Sequence, residues 1–363
     1  MSYMKNLIKS MGNKTASKIA DSDFCTIKNF YDTGVYIING LLGGSFFKGL
    51  PSGVGAGFAG IYGCGKTYVL LKTASEFLKQ TKKDGGIVFI FESEGAYDRD
   101  RVIALVGEDV ADRLVVIQIK TIEQFKTQIF KLLNEIEKQG NTKPIFLGLD
   151  SLGMLATESD LENAEKGKNV RNMQKQQLIK SMFTIISGII KSLDIPLFMT
   201  NHVYEKIGSY VPGNEISGGN GFKFACRNIV EMIKRKEKND KSIHIGTGVT
   251  AISRKGLYVK EDFCKVKFAI NFRGGIGRYS GLFDYILDND IAKKINRGPK
   301  GMTLVFEDFG GYEITKEDRK IKTLGEIFHE EFLHYLDDDF QKRLCTGNII
   351  EDAVDKEKLE DQE

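Results

Sequence analysis

Gly60-Ile61-Tyr62-Gly63-Cys64-Gly65-Lys66-Thr67 is the stretch on which the fold turns; an apolar run at residues 54–61 leads into it and a helical pattern follows through Gln80. It matches G-x-x-x-x-G-K-[ST] in full. The glycines permit positive φ, so successive backbone N–H groups turn into one concavity that can hold phosphates. Lys66 supplies a point charge for β/γ-phosphates, and the Thr67 hydroxyl is a magnesium ligand. The helix starting here adds the positive end of its dipole. ATP and magnesium are therefore the expected ligands. Gly60, Gly63, Cys64, Gly65, Lys66 and Thr67 form the loop, with Tyr68 and Asp98 as further nucleotide contacts.

Outward from the loop, strands and helices alternate. Residues 87–91, 114–119, 145–149 and 196–200 are short apolar strands, and helical periodicity fills 125–136 and 178–193. Continuous apolar strands separated by helices predict an α/β protein with a mainly parallel sheet covered on both faces. After residue 225 the rhythm changes. Residues 228–233, 248–253 and 264–272 read as antiparallel strands, the first pair joined by a polar stretch at 234–242.

Two carboxylates stand where phosphate chemistry needs them. Asp150 ends the buried run Ile145-Phe-Leu-Gly-Leu149, a position suited to holding the hydration shell of magnesium; the plainer reading is a post-strand turn residue. Glu94 follows the strand at 87–91, where an acid can orient water for attack on a γ-phosphate. Glu92 competes for that role, and spacing alone does not choose between them.

The chain has 363 residues, 41% of them apolar, which is enough for one large core with a smaller appendage. No apolar run reaches the roughly 18 residues of a membrane span, and the lysine-punctuated N-terminus lacks a signal-peptide pattern. A soluble cytoplasmic protein is expected. Five widely spread cysteines, Cys25, Cys64, Cys226, Cys264 and Cys345, argue for reduced thiols. Cys64 is either a small loop residue or a thiol whose oxidation blocks nucleotide. Net charge is +3, but residues 336–363 hold ten acids and four bases, a balance of −6 that leaves +9 on the rest. A basic body with an acidic tail suits a polyanion binder whose tail competes with its ligand; a merely solvated end is the alternative.

The order of these motifs resembles the RecA family, and more closely the phage UvsX-type recombinases. The likeness rests on the phosphate loop, Ser93-Glu94, Leu149-Asp150-Ser151-Leu152, Thr200-Asn201-His202, and Ser217-Gly218-Gly219-Asn220 with Lys223-Phe224. Gly274-Gly275-Ile276 and Tyr279-Ser280-Gly281-Leu282 extend it, and it covers most of residues 1–285. The Gly-Gly-Asn stretch is the most diagnostic element. The resemblance implies a RecA-like ATPase core at 36–285, a protomer-docking segment at 1–35 and a small C-terminal region at 286–363. It implies DNA-dependent ATP hydrolysis in a helical filament on single-stranded DNA, followed by pairing and exchange with homologous duplex DNA. Single-strand-binding and mediator proteins are its implied accessory partners, and a phage-encoded member would work in the host cytoplasm.

Residue by residue, the resemblance makes Glu94 rather than Glu92 the catalytic glutamate, and His202 the γ-phosphate sensor. Without it, His202 reads as a satisfied core histidine. Two segments match the family's DNA-binding loops, residues 156–175 with Lys168 and Arg171, and 203–217 with Lys206 and Tyr210. Gly218, Gly219 and Asn220 are further DNA contacts. Lys223, Phe224, Arg254 and Lys255 fall at the protomer interface. There the family carries two cations two residues apart on the strand that reaches the neighbour's ATP. The matching stretch here, Ile252-Ser253-Arg254-Lys255, lacks the first, which leaves Arg254 as the trans contact with Lys255 in reserve. His329 and His334 do not make a zinc site, because an i, i+5 spacing turns the rings about 140° apart on a helix. The rival readings are a ring helicase on the same ATPase core, for which about 35 preceding residues leave little room, and a mediator paralogue that binds ATP without useful turnover.

Overall fold

Two inner strands, Gly-Ala-Gly-Phe-Ala-Gly at 55–60 and Ile-Phe-Leu-Gly-Leu-Asp at 145–150, carry small and apolar residues with little polar interruption, and both are buried along their whole length. The computed structural model describes residues 2–12, 22, 26–167, 174–205, 214–238, 244–297 and 301–346. In chain order its elements begin with α1 (Ser2–Ser10), β1 (Phe30–Tyr31), α2 (Tyr36–Gly43), β2 (Leu50–Pro51), β3 (Gly55–Gly60) and α3 (Lys66–Gln80). Next come β4 (Ile87–Glu92), α4 (Arg99–Val106), β5 (Leu114–Gln118), α5 (Ile122–Lys138), β6 (Ile145–Asp150), α6 (Glu158–Glu165) and α7 (Gln174–Ser192). The second half carries β7 (Leu197–Glu205), β8 (Asn214–Ile216), α8 (Gly219–Ala225), β9 (Asn228–Lys238), β10 (His244–Lys255), β11 (Lys265–Asn271) and α9 (Leu282–Asp288). It closes with β12 (Lys293–Asn296), β13 (Met302–Phe306), β14 (Tyr312–Ile314), α10 (Asp318–Ile321), α11 (Leu324–Ile327) and α12 (Glu330–Leu344).

The main sheet runs β11-β10-β9-β3-β7-β6-β4-β5, with β8 joined to the far end of β7. From β9 to β5 every neighbouring pair is parallel, whereas β9-β10 and β10-β11 are antiparallel. This is the expected α/β architecture. β3 sits mid-sheet beside β7 and β9, so the loop after it opens at the carboxyl ends of parallel strands, where such sheets bind ligands. Two apolar clusters cover the two faces: α2, α3, α9 and α12 on one, α5, α7 and α8 on the other. Gly57 lets α8 lie directly on β3, because a Cβ there would come within 2.3 Å of Phe222 and 2.7 Å of Cys226 Sγ.

Three expectations are corrected. The polar stretch at 234–242 is not merely a connection: β9 continues to Lys238, since its charged residues edge a twisted ribbon and need no buried face. Residues 156–167 hold α6, closed by a capping box between Thr157 and Asp160, and the 203–217 segment begins and ends as the β7-β8 pairing. The acidic tail does not start at 336. Residues 336–344 belong to α12, where Leu336, Asp337 and Phe340 are buried. Asp337 accepts hydrogen bonds from Ser45 Oγ at 2.7 Å and the Phe46 amide at 2.6 Å, so its charge is spent inside the fold. Residues 347–363, seven acids and two bases, lie outside the described residues.

Phe340 locks α12 onto the body of the protein. Its ring packs against Phe46 at 5.1 Å and Tyr285 at 5.6 Å, over the space left open by Gly40. Phe340→Ala should lower the unfolding free energy by about 3–5 kcal/mol, the usual loss for an aromatic removed from a packed core. Urea unfolding followed by circular dichroism checks this.

Candidate functional site

Between β3 and α3 the loop turns through two left-handed glycines, Gly63 at φ +71° and Gly65 at φ +95°. Gly65 also caps α3 at a φ that side chains rarely adopt, and a Cβ there would lie 2.1 Å from Ile270 Cδ1. Lys66 is buried and folded back on the loop, donating to the carbonyls of Gly60 at 2.9 Å and Ile61 at 3.0 Å. Cys64 is fully buried beneath, and burial raises its thiol above the ordinary range. Burial and a raised thiol both favour the small-residue reading over the oxidation one.

An open cavity of about 350 Å³ lies over the loop. Lys66, Thr67, Tyr68, Glu94, Asp98 and His202 line it, as do Tyr62, Arg101, Thr247, Ile270 and Phe272, which sequence reasoning did not select. Thr247, Ile270 and Phe272 arrive through the β10-β11 pairing, in which Thr247 faces Ile270. Only that register, which is not visible in local sequence, brings them to the loop. Tyr62 and Phe272 expose 86% and 66% of their surface, which presents two aromatic faces at the rim. Asp98 also caps α4, accepting from the Arg101 amide at 2.9 Å. A second groove, about 530 Å³ between α4 and β5, holds none of the selected residues.

Parallel register sets Glu92 of β4 opposite Asp150 of β6, and the two strand ends diverge in role. Glu92 is buried and accepts from the amides of Glu94 at 2.8 Å and Ala96 at 3.1 Å, so it shapes the turn. Glu94 faces the cavity. Its Oε1 accepts from Ser151 Oγ at 2.7 Å and lies 3.0 Å from His202 Nε2, which donates to it. The His202 hydrogen bond, ahead of that from Ser151, holds the Glu94 carboxyl below its ordinary range. Asp150 is 2% exposed and accepts from Thr200, Thr67 and Tyr97, the last at 3.1 Å. Burial nevertheless pushes its carboxyl up. A buried carboxylate beside a threonine hydroxyl and a phosphate loop suits a hard cation. Among the described residues no group of three or more His, Cys, Asp or Glu side chains forms another metal site. His329 caps α12 through Nδ1, and His334 stacks on Phe47.

His202 also ties the cavity to the glycine turn. Its carbonyl accepts from the Ser217 amide at 2.9 Å, while Asn201 Nδ2 donates to the Ser217 carbonyl at 2.7 Å. Gly218 and Gly219 follow with φ of +79° and +54°, and α8 begins there, with Asn220 in its first turn.

Over 373 residues the chain is 27% identical to the recombination and repair protein of Enterobacteria phage T4, spanning 98% of this chain and 90% of that one. It is 27% identical over 289 residues to Protein RecA of Clostridioides difficile, covering 79% of this chain and 77% of the relative. With Protein RecA of Phytoplasma mali the identity is 25% over 296 residues, 80% of this chain and 81% of the other. These likenesses, over most of the chain, support the resemblance to the RecA family. No family model matches it.

Both cations that the sequence offers for a protomer interface have partners within this chain. Arg254, at an irregularity where β10 leaves its register with β9, donates to Glu231 at 2.7 Å and Asp262 at 2.6 Å. Lys255 donates to the carbonyls of Lys223 at 2.7 Å and Cys226 at 2.8 Å. Lys223 and Phe224 are exposed on α8. Lys168, Arg171, Lys206 and Tyr210 lie outside the described residues. No helix among those described is long and apolar enough to cross a membrane.

Proposed function

We propose that this chain is an ATP-dependent recombinase that assembles as a filament on single-stranded DNA and exchanges strands with a homologous duplex. One observation carries the reading: an unbroken path of contacts from the nucleotide cavity to the glycine turn. It runs from Glu94 to His202 at 3.0 Å and from His202 to Ser217 at 2.9 Å, and so to Gly218 and Gly219. The names of its relatives, recombination and repair protein and RecA, agree with it.

On this reading the loop N–H groups cradle the triphosphate and Lys66 exchanges its two carbonyl partners for phosphate oxygens. Tyr62 and Phe272 offer stacking faces to the purine. Thr67 and Asp150 would hold magnesium, which when bound neutralises phosphate charge. A γ-phosphate competes with Glu94 for the His202 donor. When His202 turns to phosphate, Glu94 is released to orient the attacking water, and the Ser217 turn moves with β7. Loss of phosphate reverses the exchange and loosens the DNA.

The DNA is proposed to meet the backbone at Gly218 and Gly219, the Asn220 amide, and the cations Lys168, Arg171 and Lys206, with Tyr210 stacking between bases. Arg254, Lys255, Lys223 and Phe224 are proposed to face a neighbouring protomer, which requires Arg254 to leave Glu231 and Asp262. Single-strand-binding and mediator proteins are proposed partners, and the cytoplasm of the host is the proposed compartment.

Joint-molecule formation between a single strand and a homologous duplex, measured beside ATP hydrolysis, tests the reading. Homology-dependent exchange that requires ATP, with hydrolysis stimulated by DNA, is the expected result. Unwinding that ignores homology would favour the ring helicase. ATP binding without stimulated turnover would favour the mediator.

A further inference from the structure

A second cation, Lys234 of β9, stands beside the phosphate loop. β9 runs parallel to β3 with Met232 opposite Gly60, so the residues after Met232 pass alongside the loop that leaves β3. Side chains two apart on a strand share a face. Met232 points at the loop, its carbonyl and Cβ lying 2.5 and 3.2 Å from where a Gly60 Cβ would be. Lys234 therefore points the same way, as does Val249 opposite it on β10. Its Nζ lies 3.0 Å from the position a Cβ on Gly63 would occupy.

The surrounding charge is unbalanced. Arg235, next along the strand, is paired with Glu237 and Asp284. Among the described residues no ion pair engages Lys234. The exposed ammonium of Lys234 thus stands beside the loop at Gly63, where Lys66 and the start of α3 already add positive charge. A polyanion entering the loop would meet both charges.

We infer that Lys234 is a binding residue for the nucleotide polyphosphate, supplied in cis by β9. The inference rests on the phosphate loop holding ATP, as proposed above. Lys234 braces the loop at Gly63 and adds a positive charge to the field the phosphates enter. It touches neither Glu94 nor His202, so it governs affinity rather than the chemical step. Sequence reading passed over it as one lysine in a polar stretch.

The test is Lys234→Met in the full chain, with Lys234→Arg beside it and Lys66→Ala as the control for the site itself. Titration with ATP and ADP at low and high salt should show the Met variant weakened roughly three- to tenfold, a modest effect because an exposed charge is screened. The deficit should shrink as salt rises, the Arg variant should bind nearly as wild type, and kcat at saturating ATP should hold. Equal affinity and an equal salt slope in wild type and Lys234→Met would overturn the inference while leaving the site intact. A loss that Arg does not restore would assign the effect to packing and overturn it too. If the wild type itself fails to bind ATP, both this inference and the reading beneath it fall.

Discussion

Lys66→Ala is expected to abolish measurable nucleotide binding while leaving the fold unchanged. The ammonium is the one buried cation of the loop, and its present partners, the carbonyls of Gly60 and Ile61, lie where the loop opens. Charge-assisted contacts to phosphate are among the strongest polar interactions available, and removing a cation that makes two of them should cost roughly a hundredfold or more in affinity. Calorimetric titration with ATP, beside circular dichroism to establish folding, reads the result. Affinity within a few-fold of wild type would mean that the loop is not the phosphate site.

Glu94→Gln should have the opposite profile, with ATP bound normally and turnover lost. The amide oxygen can still accept from Ser151 and His202, so the local geometry survives. What goes is the negative charge that orients and polarises water, and a drop of roughly 10²- to 10⁴-fold in single-turnover hydrolysis follows from general-base behaviour. The pH dependence has a definite sign. His202, ahead of Ser151, holds the Glu94 carboxyl below its ordinary range in the nucleotide-free site, so there it stays ionised as pH falls. Once His202 turns to phosphate the main cause of that lowering is gone, and hydrolysis should weaken as pH falls toward the ordinary carboxylate range. A carboxylate held this acidic is a weak base, which is why release of His202 matters to the proposed mechanism. DNA complexes of the variant should outlast those of the wild type, since the step that loosens them is blocked. Normal turnover by Glu94→Gln would move the catalytic role elsewhere, with Glu92 unsuited because its carboxylate is committed to two backbone amides.

The elements around the phosphate loop were readable because each rests on local chemistry. A helix expected to run through Gln80 runs from Lys66 to Gln80, and the strand expected at 145–149 ends one residue later on Asp150. Buried parallel strands announce themselves as unbroken apolar runs, and the loop glycines punctuate them. Residues set in place by pairing between distant strands escaped notice. Phe272 and Thr247 reach the cavity only through the β10-β11 register, and Lys234 only through the β3-β9 register. The C-terminal acids misled for a related reason. Asp337 sits in a run of three aspartates that looks like tail, yet it caps backbone at residues 45–46, almost three hundred positions away. Composition cannot separate a charge that solvates from one that anchors. The choice of Glu94 over Glu92 needed geometry as well, since the two differ in sequence by a single intervening serine.

Nucleotide state at one pocket is proposed to reset how the glycine turn and its neighbours hold DNA. Negative-stain microscopy of the purified protein with single-stranded DNA, with and without a non-hydrolysable ATP analogue, tests this most directly. Regular helical filaments with the analogue, and few or none without it, are the predicted result. Isolated particles that ignore both DNA and nucleotide would contradict it.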